Sequence, residues 1–212
     1  MNLLLLTDGR FPAGGHAHSG GIEAAVMAGR VTGVDTLAVF LVGRLTTAGR
    51  VAAALAAAAA TDTHDLSDLD AEAAARIPSP ALRHASRVQG RQLLRTARAV
   101  LAYERLPDEL HHPVAMGMVS AATPGLGPVD AARWAAYDAI SGPAGAAVRL
   151  LGLDPFRAWG LVAALLPEAE AIATEAAAGA FGSLDHLPSC SAPLLDIGAE
   201  QHAASEVRLF AS

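Results

Sequence analysis

Residues 79–104 read Ser79-Pro80-Ala81-Leu82-Arg83-His84-Ala85-Ser86-Arg87-Val88-Gln89-Gly90-Arg91-Gln92-Leu93-Leu94-Arg95-Thr96-Ala97-Arg98-Ala99-Val100-Leu101-Ala102-Tyr103-Glu104. A serine followed by proline is a helix start: the serine caps, and proline suits the first helical position because its missing N–H would have no partner there. Leu82, Val88, Leu94, Val100 and Leu101 recur at helical spacing and give the segment one apolar face. Arg83, Arg87, Arg91 and Arg95 follow at four-residue steps, with Arg98 next, so they form one basic stripe on the helix surface. Glu104 is the one acid in the segment. The stripe is therefore expected to meet acidic groups elsewhere in the protein or on a partner. Gly90 costs about 1 kcal/mol against alanine inside a helix, and its presence points to a close helix crossing.

Working outward, the rest of the chain repeats the helical pattern. Asp35 can start a helix that runs to about Thr47, with an interruption at Gly49 and a resumption over 50–60, where alanine dominates. The segment 61–72 carries Asp62, Asp65, Asp68, Asp70 and Glu72 without calcium-loop spacing, and reads as a solvated loop and helix start. Pro113 opens a helix to about Ala122. A longer one runs from Val129 towards Leu151, with a kink or break expected at Ser141-Gly142-Pro143. Asp154-Pro155 begins a helix through Leu166, Pro167 begins another through Ala178, and a last helix covers Leu195 to about Val207. No segment alternates as a strand would. The expectation is an all-α, single-domain bundle of about eight to ten helices over 1–212, with 195–212 forming a C-terminal helix and tail.

Composition narrows the function. Of 212 residues 52% are hydrophobic but only 4% aromatic, so alanine, leucine and valine must fill the core and helices must approach closely. The net charge of −6 argues against nucleic acid as the main partner. All fifteen basic residues are arginine, which removes a Schiff-base lysine and a phosphate loop of the Gly-Lys-Ser/Thr type. Cys190 is the only cysteine, so no disulfide forms within one chain. The apolar run 36–60 is broken by Arg44 and Arg50 and suits a buried helix better than a membrane span, and 3–6 is too short for a signal core. The expected location is cytoplasmic.

Near the N-terminus, residues 12–23 read Pro12-Ala13-Gly14-Gly15-His16-Ala17-His18-Ser19-Gly20-Gly21-Ile22-Glu23. Glycines permit a specially shaped turn, Ser19 is placed to cap, and Glu23 lies in the first helical turn, where the dipole favours a negative charge. His16, His18, His111 and His112 are the residues with metal-ligand chemistry, and a helical metal-binding enzyme built on them is the alternative to a binding protein. Their spacing lacks the i, i+4 pattern and cysteine partners of a strong site, so no metal site and no cofactor are expected. Ser19 is in no nucleophile elbow, and Cys190 has no activating motif.

Taken together, Pro12, Gly14, Gly15, His16, Ser19, Gly21, Ile22 and Glu23 resemble the UreF family of urease accessory proteins. So does the end of the chain, where His202 is followed six residues later by Arg208-Leu209-Phe210-Ala211-Ser212. Gly90-Arg91 with Arg95, His112-Pro113-Val114-Ala115 with Gly117, and Ala147 with Arg149-Leu150 are similar to family positions, in order. Two departures stand out: His16 replaces a common aromatic, and Gly20 replaces a larger residue. The resemblance implies an all-helical, dimeric, non-catalytic protein. It implies assembly with the UreD/UreH-type accessory protein and the UreG-type GTPase to support nickel insertion into apo-urease, as a chaperone or GTPase regulator. His202, Arg208, Leu209, Phe210 and Ser212, with Arg87, Arg91 and Arg95, are the expected partner-binding residues. Pro12, Gly14, Gly15, His16, Ser19, Gly21 and Glu23 are the expected structural motif.

Overall fold

In the computed structural model, residues 2–8, 11, 18–103, 105–205 and 209–210 are described. All regular structure among them is helical: α1 (Asn2–Leu6), α2 (Ile22–Met27), α3 (Val34–Arg44), α4 (Arg50–Ala59), α5 (Leu66–Ala75), α6 (Pro80–Leu101), α7 (His112–Ala122), α8 (Pro128–Leu151), α9 (Pro155–Gly179) and α10 (Pro193–Ala203). A π turn, Leu45–Gly49, joins α3 to α4 without a break, so nine continuous helices make up the described chain. The all-α expectation holds.

Helix α4 is the centre. Val51 and every residue from Ala53 to Ala59 are buried, and α7, α8 and α9 pack around it. The rod Val34–Ala59 is long and apolar enough by composition to cross a membrane. Its α4 half, however, is the core of the bundle, and its two interior arginines have protein partners: Arg44 Nε donates to the Ala139 carbonyl (3.0 Å), and Arg50 pairs with Glu175.

Small residues permit this packing. A β-carbon on Gly117 of α7 would lie 2.4 Å from the Ala56 carbonyl oxygen of α4. One on Gly90 of α6 would lie 2.0 Å from the Leu110 carbonyl oxygen, just ahead of α7. The close approach expected at Gly90 is thus real, and its neighbour is backbone that cannot step aside.

Three expected breaks are not breaks. At Gly49 the helix changes register instead of stopping. The hydroxyls of Thr46 and Thr47 donate back to the carbonyls of Val42 and Gly43 (2.9 and 2.6 Å) across the widened turn. At Pro143 the helix α8 continues. A proline removes the bond to the carbonyl four residues earlier, and here that carbonyl, Ala139, receives Arg44 Nε from the neighbouring rod instead. At Pro167 the expected second helix does not begin; α9 runs on to Gly179, with Ala163 and Pro167 both on its exposed side, where water can satisfy the orphaned carbonyl. Helix α6 ends at Leu101, short of Glu104, because Ala102 turns left-handed (φ 58°). Helix α10 starts at Pro193 and ends at Ala203, while Val207 lies outside the described residues.

Gly90→Ala gains helix propensity of about 1 kcal/mol and would stabilise an exposed helix. Against the Leu110 carbonyl it is expected to lower the urea midpoint of this protein. An unchanged or raised midpoint would show that the α6–α7 approach is looser than described.

Candidate functional site

The site grows from one buried carboxylate. Helix α2 begins after Gly21, whose left-handed backbone (φ 86°) is open to glycine and strained for other residues. Two residues on, Glu23 is only 3% exposed. Its backbone N–H donates to Ser19 Oγ (3.4 Å), but the capping position is Gly21, two residues later than the sequence suggests, so Ser19 supports the helix start from outside it. The Glu23 side chain turns inward and accepts three bonds from the far end of the chain. His202 Nε2 of α10 lies 2.8 Å from Oε2; the Leu209 N–H donates to Oε1 (2.8 Å) and the Phe210 N–H to Oε2 (3.0 Å). His202 is itself buried. The two motifs at the chain ends therefore form one structure. Pro12, Gly14, Gly15 and His16 of the first, and Arg208 and Ser212 of the second, lie outside the described residues.

Leu209 and Phe210 have separate fates. Phe210 is half-buried against the core, and the Arg149 guanidinium of α8 sits over its ring at 4.5 Å from the centroid. Leu209 is 75% exposed. The sequence suggests a tail with few neighbours of its own chain; instead Glu23 fixes its backbone and Arg149 holds its aromatic ring.

Helix α10 is tied at its other end as well. Glu200 accepts from Ser79 Oγ and from the Ala81 N–H (2.9 Å), while Asp196 accepts from the Ser79 N–H (3.3 Å). Ser79 Oγ meanwhile caps α6 through the Leu82 N–H (3.1 Å). These bonds hold the Glu200 carboxyl below the usual carboxylate range. Acids placed at the α6 N-terminus also meet the positive end of its dipole.

The arginine stripe finds its acids on other elements. Arg87 pairs with Asp70 of α5 (2.8 Å) and lies 3.8 Å from Glu109; Arg91 reaches Glu109 (3.4 Å); Arg98 reaches Asp108 (2.9 Å). Arg83 donates to the carbonyls of Ile77 and Pro78 (2.7 and 2.8 Å). Arg95 is exposed, with no ion pair among the described residues. Asp70 is thus no solvated acid: its second oxygen accepts the His111 N–H (2.7 Å), which ties α5, α6 and α7 together. Asp65, by contrast, is the α5 cap, as the start of a helix requires.

Among the described residues the candidate histidines do not form one cluster, although His18 and His112 share a cavity. His111 is buried, with Nδ1 3.1 Å from Ser86 Oγ, and the His112 N–H donates to that same oxygen (3.0 Å). His18 and His112 line a cavity beside Arg44, and His16 is outside the described residues. Among the described residues no group of three or more His, Cys, Asp or Glu is placed to hold a metal ion. Burial, first of all, pushes both His111 and His112 below the ordinary histidine range; Arg87 adds to this at His111, whereas Asp138 opposes it at His112.

Glu23, His202 and the backbone of Leu209 and Phe210 thus join residues of the two terminal motifs; comparison with known proteins identifies the family. The family model described as UreF matches residues 31–166. The chain belongs to the UreF family of urease accessory proteins. It is 44% identical over 216 residues to a urease accessory protein UreF of Mycobacterium sp. (strain JLS), covering 99% of this chain and 97% of that one. It is 44% identical over 213 residues, with the same coverage, to the one of Mycobacterium tuberculosis (strain ATCC 25618 / H37Rv). The UreF of Mycolicibacterium vanbaalenii is 43% identical over 216 residues. UreF-family accessory proteins are non-catalytic, which sets aside the metalloenzyme alternative built on His16, His18, His111 and His112. The sequence pointed to Glu23 through its motif but not to its work, since its three partners lie about 180 residues away.

Two outcomes follow for this UreF-family chain. Glu23→Ala removes the acceptor of the buried His202 ring, at about 1–3 kcal/mol for a buried group left unsatisfied, and of the part-buried Leu209 and Phe210 amides. Faster hydrogen exchange at the Leu209 and Phe210 amides and a lower melting temperature are expected; slow exchange in the variant would remove Glu23 from this role. His112, with its pKa lowered in the folded state, contributes stability that is fully present above the ordinary histidine value of 6.5 and is lost as pH falls below it, because the unfolded chain then binds protons that the folded chain refuses. His112→Gln is therefore expected to shrink the drop in melting temperature between about pH 7 and about pH 5.5. An equal drop in the variant would contradict this.

Proposed function

We propose that this protein is a non-catalytic scaffold in urease maturation. In this role it joins the UreD/UreH-type accessory protein and the UreG-type GTPase in a cytoplasmic assembly that supports nickel insertion into apo-urease, and it works as a homodimer. Family membership supports the urease setting. The observation that carries the docking role is the geometry at Leu209. Its backbone is fixed by a buried carboxylate while its side chain is left in solvent, so an apolar anchor is held ready at little further cost in chain entropy. A mobile anchor would have to be ordered on binding, whereas the Leu209 backbone is already held by Glu23.

Other surfaces fit assembly. Phe156 (88% exposed), Trp159 and Leu166 lie at helical spacing on α9, and Val39 and Val42 are exposed on α3. Large exposed aromatics of this kind are more typical of contact surfaces than of isolated proteins. On the stripe, Arg87 and Arg91 are engaged by Asp70 and Glu109, and Arg95 is the member open to an acidic partner. A charge at the rim of an interface acts mainly on association rate and its salt dependence.

Substitution at Leu209 separates docking from folding. Leu209→Asp keeps the backbone bond to Glu23 and removes only an exposed side chain. An unchanged melting temperature is expected, with capture of the co-expressed UreD/UreH-type protein reduced at least about tenfold, the loss of one well-buried anchor. Arg95→Glu is expected to slow the same association without affecting the fold. Full capture by the Leu209→Asp protein would sink the docking role.

A further inference from the structure

A cavity of about 200 Å³ opens among α3, α4, α6, α7, α8 and α10. Val51, Leu55, Leu82 and Met116 form apolar wall, and Arg44, His112 and Asp138 supply polar groups. These three lie within electrostatic reach of one another: the Asp138 charge acts on both Arg44 and His112, and the Arg44 charge acts on His112. Each is left with unused hydrogen-bonding capacity. Arg44 commits Nε to the Ala139 carbonyl, while its two terminal nitrogens have no hydrogen bond or ion pair among the described residues. The same is true of the His112 imidazole and the Asp138 carboxylate. The only enclosed side-chain atom without a partner among the described residues is Ser120 Oγ, which does not line this cavity. Arg44, His112 and Asp138 all line the cavity, so their remaining polar groups are available to a molecule inside it.

We propose that this cavity binds a small carboxylate that carries a hydroxyl or ammonium group next to it, that is, a hydroxy acid or an amino acid of a few heavy atoms. The terminal nitrogens of Arg44 form a fork that matches a carboxylate in two parallel bonds. Asp138 accepts from the adjacent hydroxyl or ammonium, and His112, neutral in this setting, donates or accepts one bond. Several waters' worth of space, at about 30 Å³ of liquid volume each, admits a ligand of a few heavy atoms. A bare metal cation fits poorly, because Arg44 repels it and the nearby ligand groups are too few for a metal site. A bare inorganic anion fits poorly too, because it meets the Asp138 carboxylate. This site stands on the cavity alone and does not rest on the scaffold role.

Calorimetric titration of the full chain with glycine, glycolate, acetate, inorganic phosphate and nickel chloride decides the matter. Glycine or glycolate is expected to bind one per chain and to raise the melting temperature. Acetate, which lacks the donor, is expected to bind at least about tenfold more weakly, since a site built for a polar group penalises its absence. Arg44→Lys is expected to weaken both ligands at least about tenfold by losing the fork. Asp138→Asn has no hydrogen bond of its own to lose, keeps the fold, and is expected to weaken glycine more than glycolate. Failure of both glycine and glycolate to bind saturably would overturn the proposal. So would affinities that neither variant changes, or binding of nickel or phosphate alone.

Discussion

Helix α4 has almost no side-chain volume, and the rest of the bundle is arranged to meet it at close range. An alanine buries little area, so the core gains stability only if neighbouring backbones approach until few gaps remain. That demand explains why α7 carries Gly117 where it crosses Ala56, and why Gly90 faces the Leu110 carbonyl. It also fits the low aromatic content, since large rings would hold these helices apart: Phe156, Trp159 and Phe181 are exposed, and Trp134 is the one tryptophan taken into the core.

Close approach brings polar backbone into the interior, and the arginines manage part of it. Arg44 supplies the N–H that Pro143 lacks, across two helices. Arg76 donates to the carbonyls of Leu184, Leu187 and Pro188 and pairs with Glu72, pinning the segment between α9 and α10. A guanidinium has five donors in a fixed plane and serves several carbonyls at once, which an ammonium does less well. The absence of lysine matches this use, since the same residue type carries both structural and surface duties.

Glu23 performs the corresponding task for the chain ends. A carboxylate with only 3% exposure is costly unless its lone pairs are satisfied, and here a histidine and two backbone amides satisfy them. The result is that Leu209 and Phe210 are tied to their own domain while the Leu209 side chain stays in solvent. This suits the proposed scaffold role: Leu209 is presented in one geometry and its side chain stays exposed.

Much of this was legible in the residues themselves. Ser79-Pro80 and Asp154-Pro155 marked helix starts correctly, because capping is a local interaction between a side chain and the N–H groups two or three residues ahead. The all-α class followed from spacing, Gly90 announced a crossing, and the terminal motifs carried the family. Tertiary structure decided whatever depended on distant partners. Proline and glycine at 143, 167 and 49 read as breaks because a sequence shows the missing N–H or the flexible backbone but not the group that compensates. The stripe was expected to meet acids, but which ones could not be read, because Asp70, Asp108 and Glu109 come to it from other elements. The link from Glu23 to His202 and Phe210, and the gathering of Arg44, His112 and Asp138 at one cavity, exist only once the chain has closed on itself. Local propensity fixes where helices start, whereas burial and long-range hydrogen bonds fix which interruptions they survive and which charged groups are left to act.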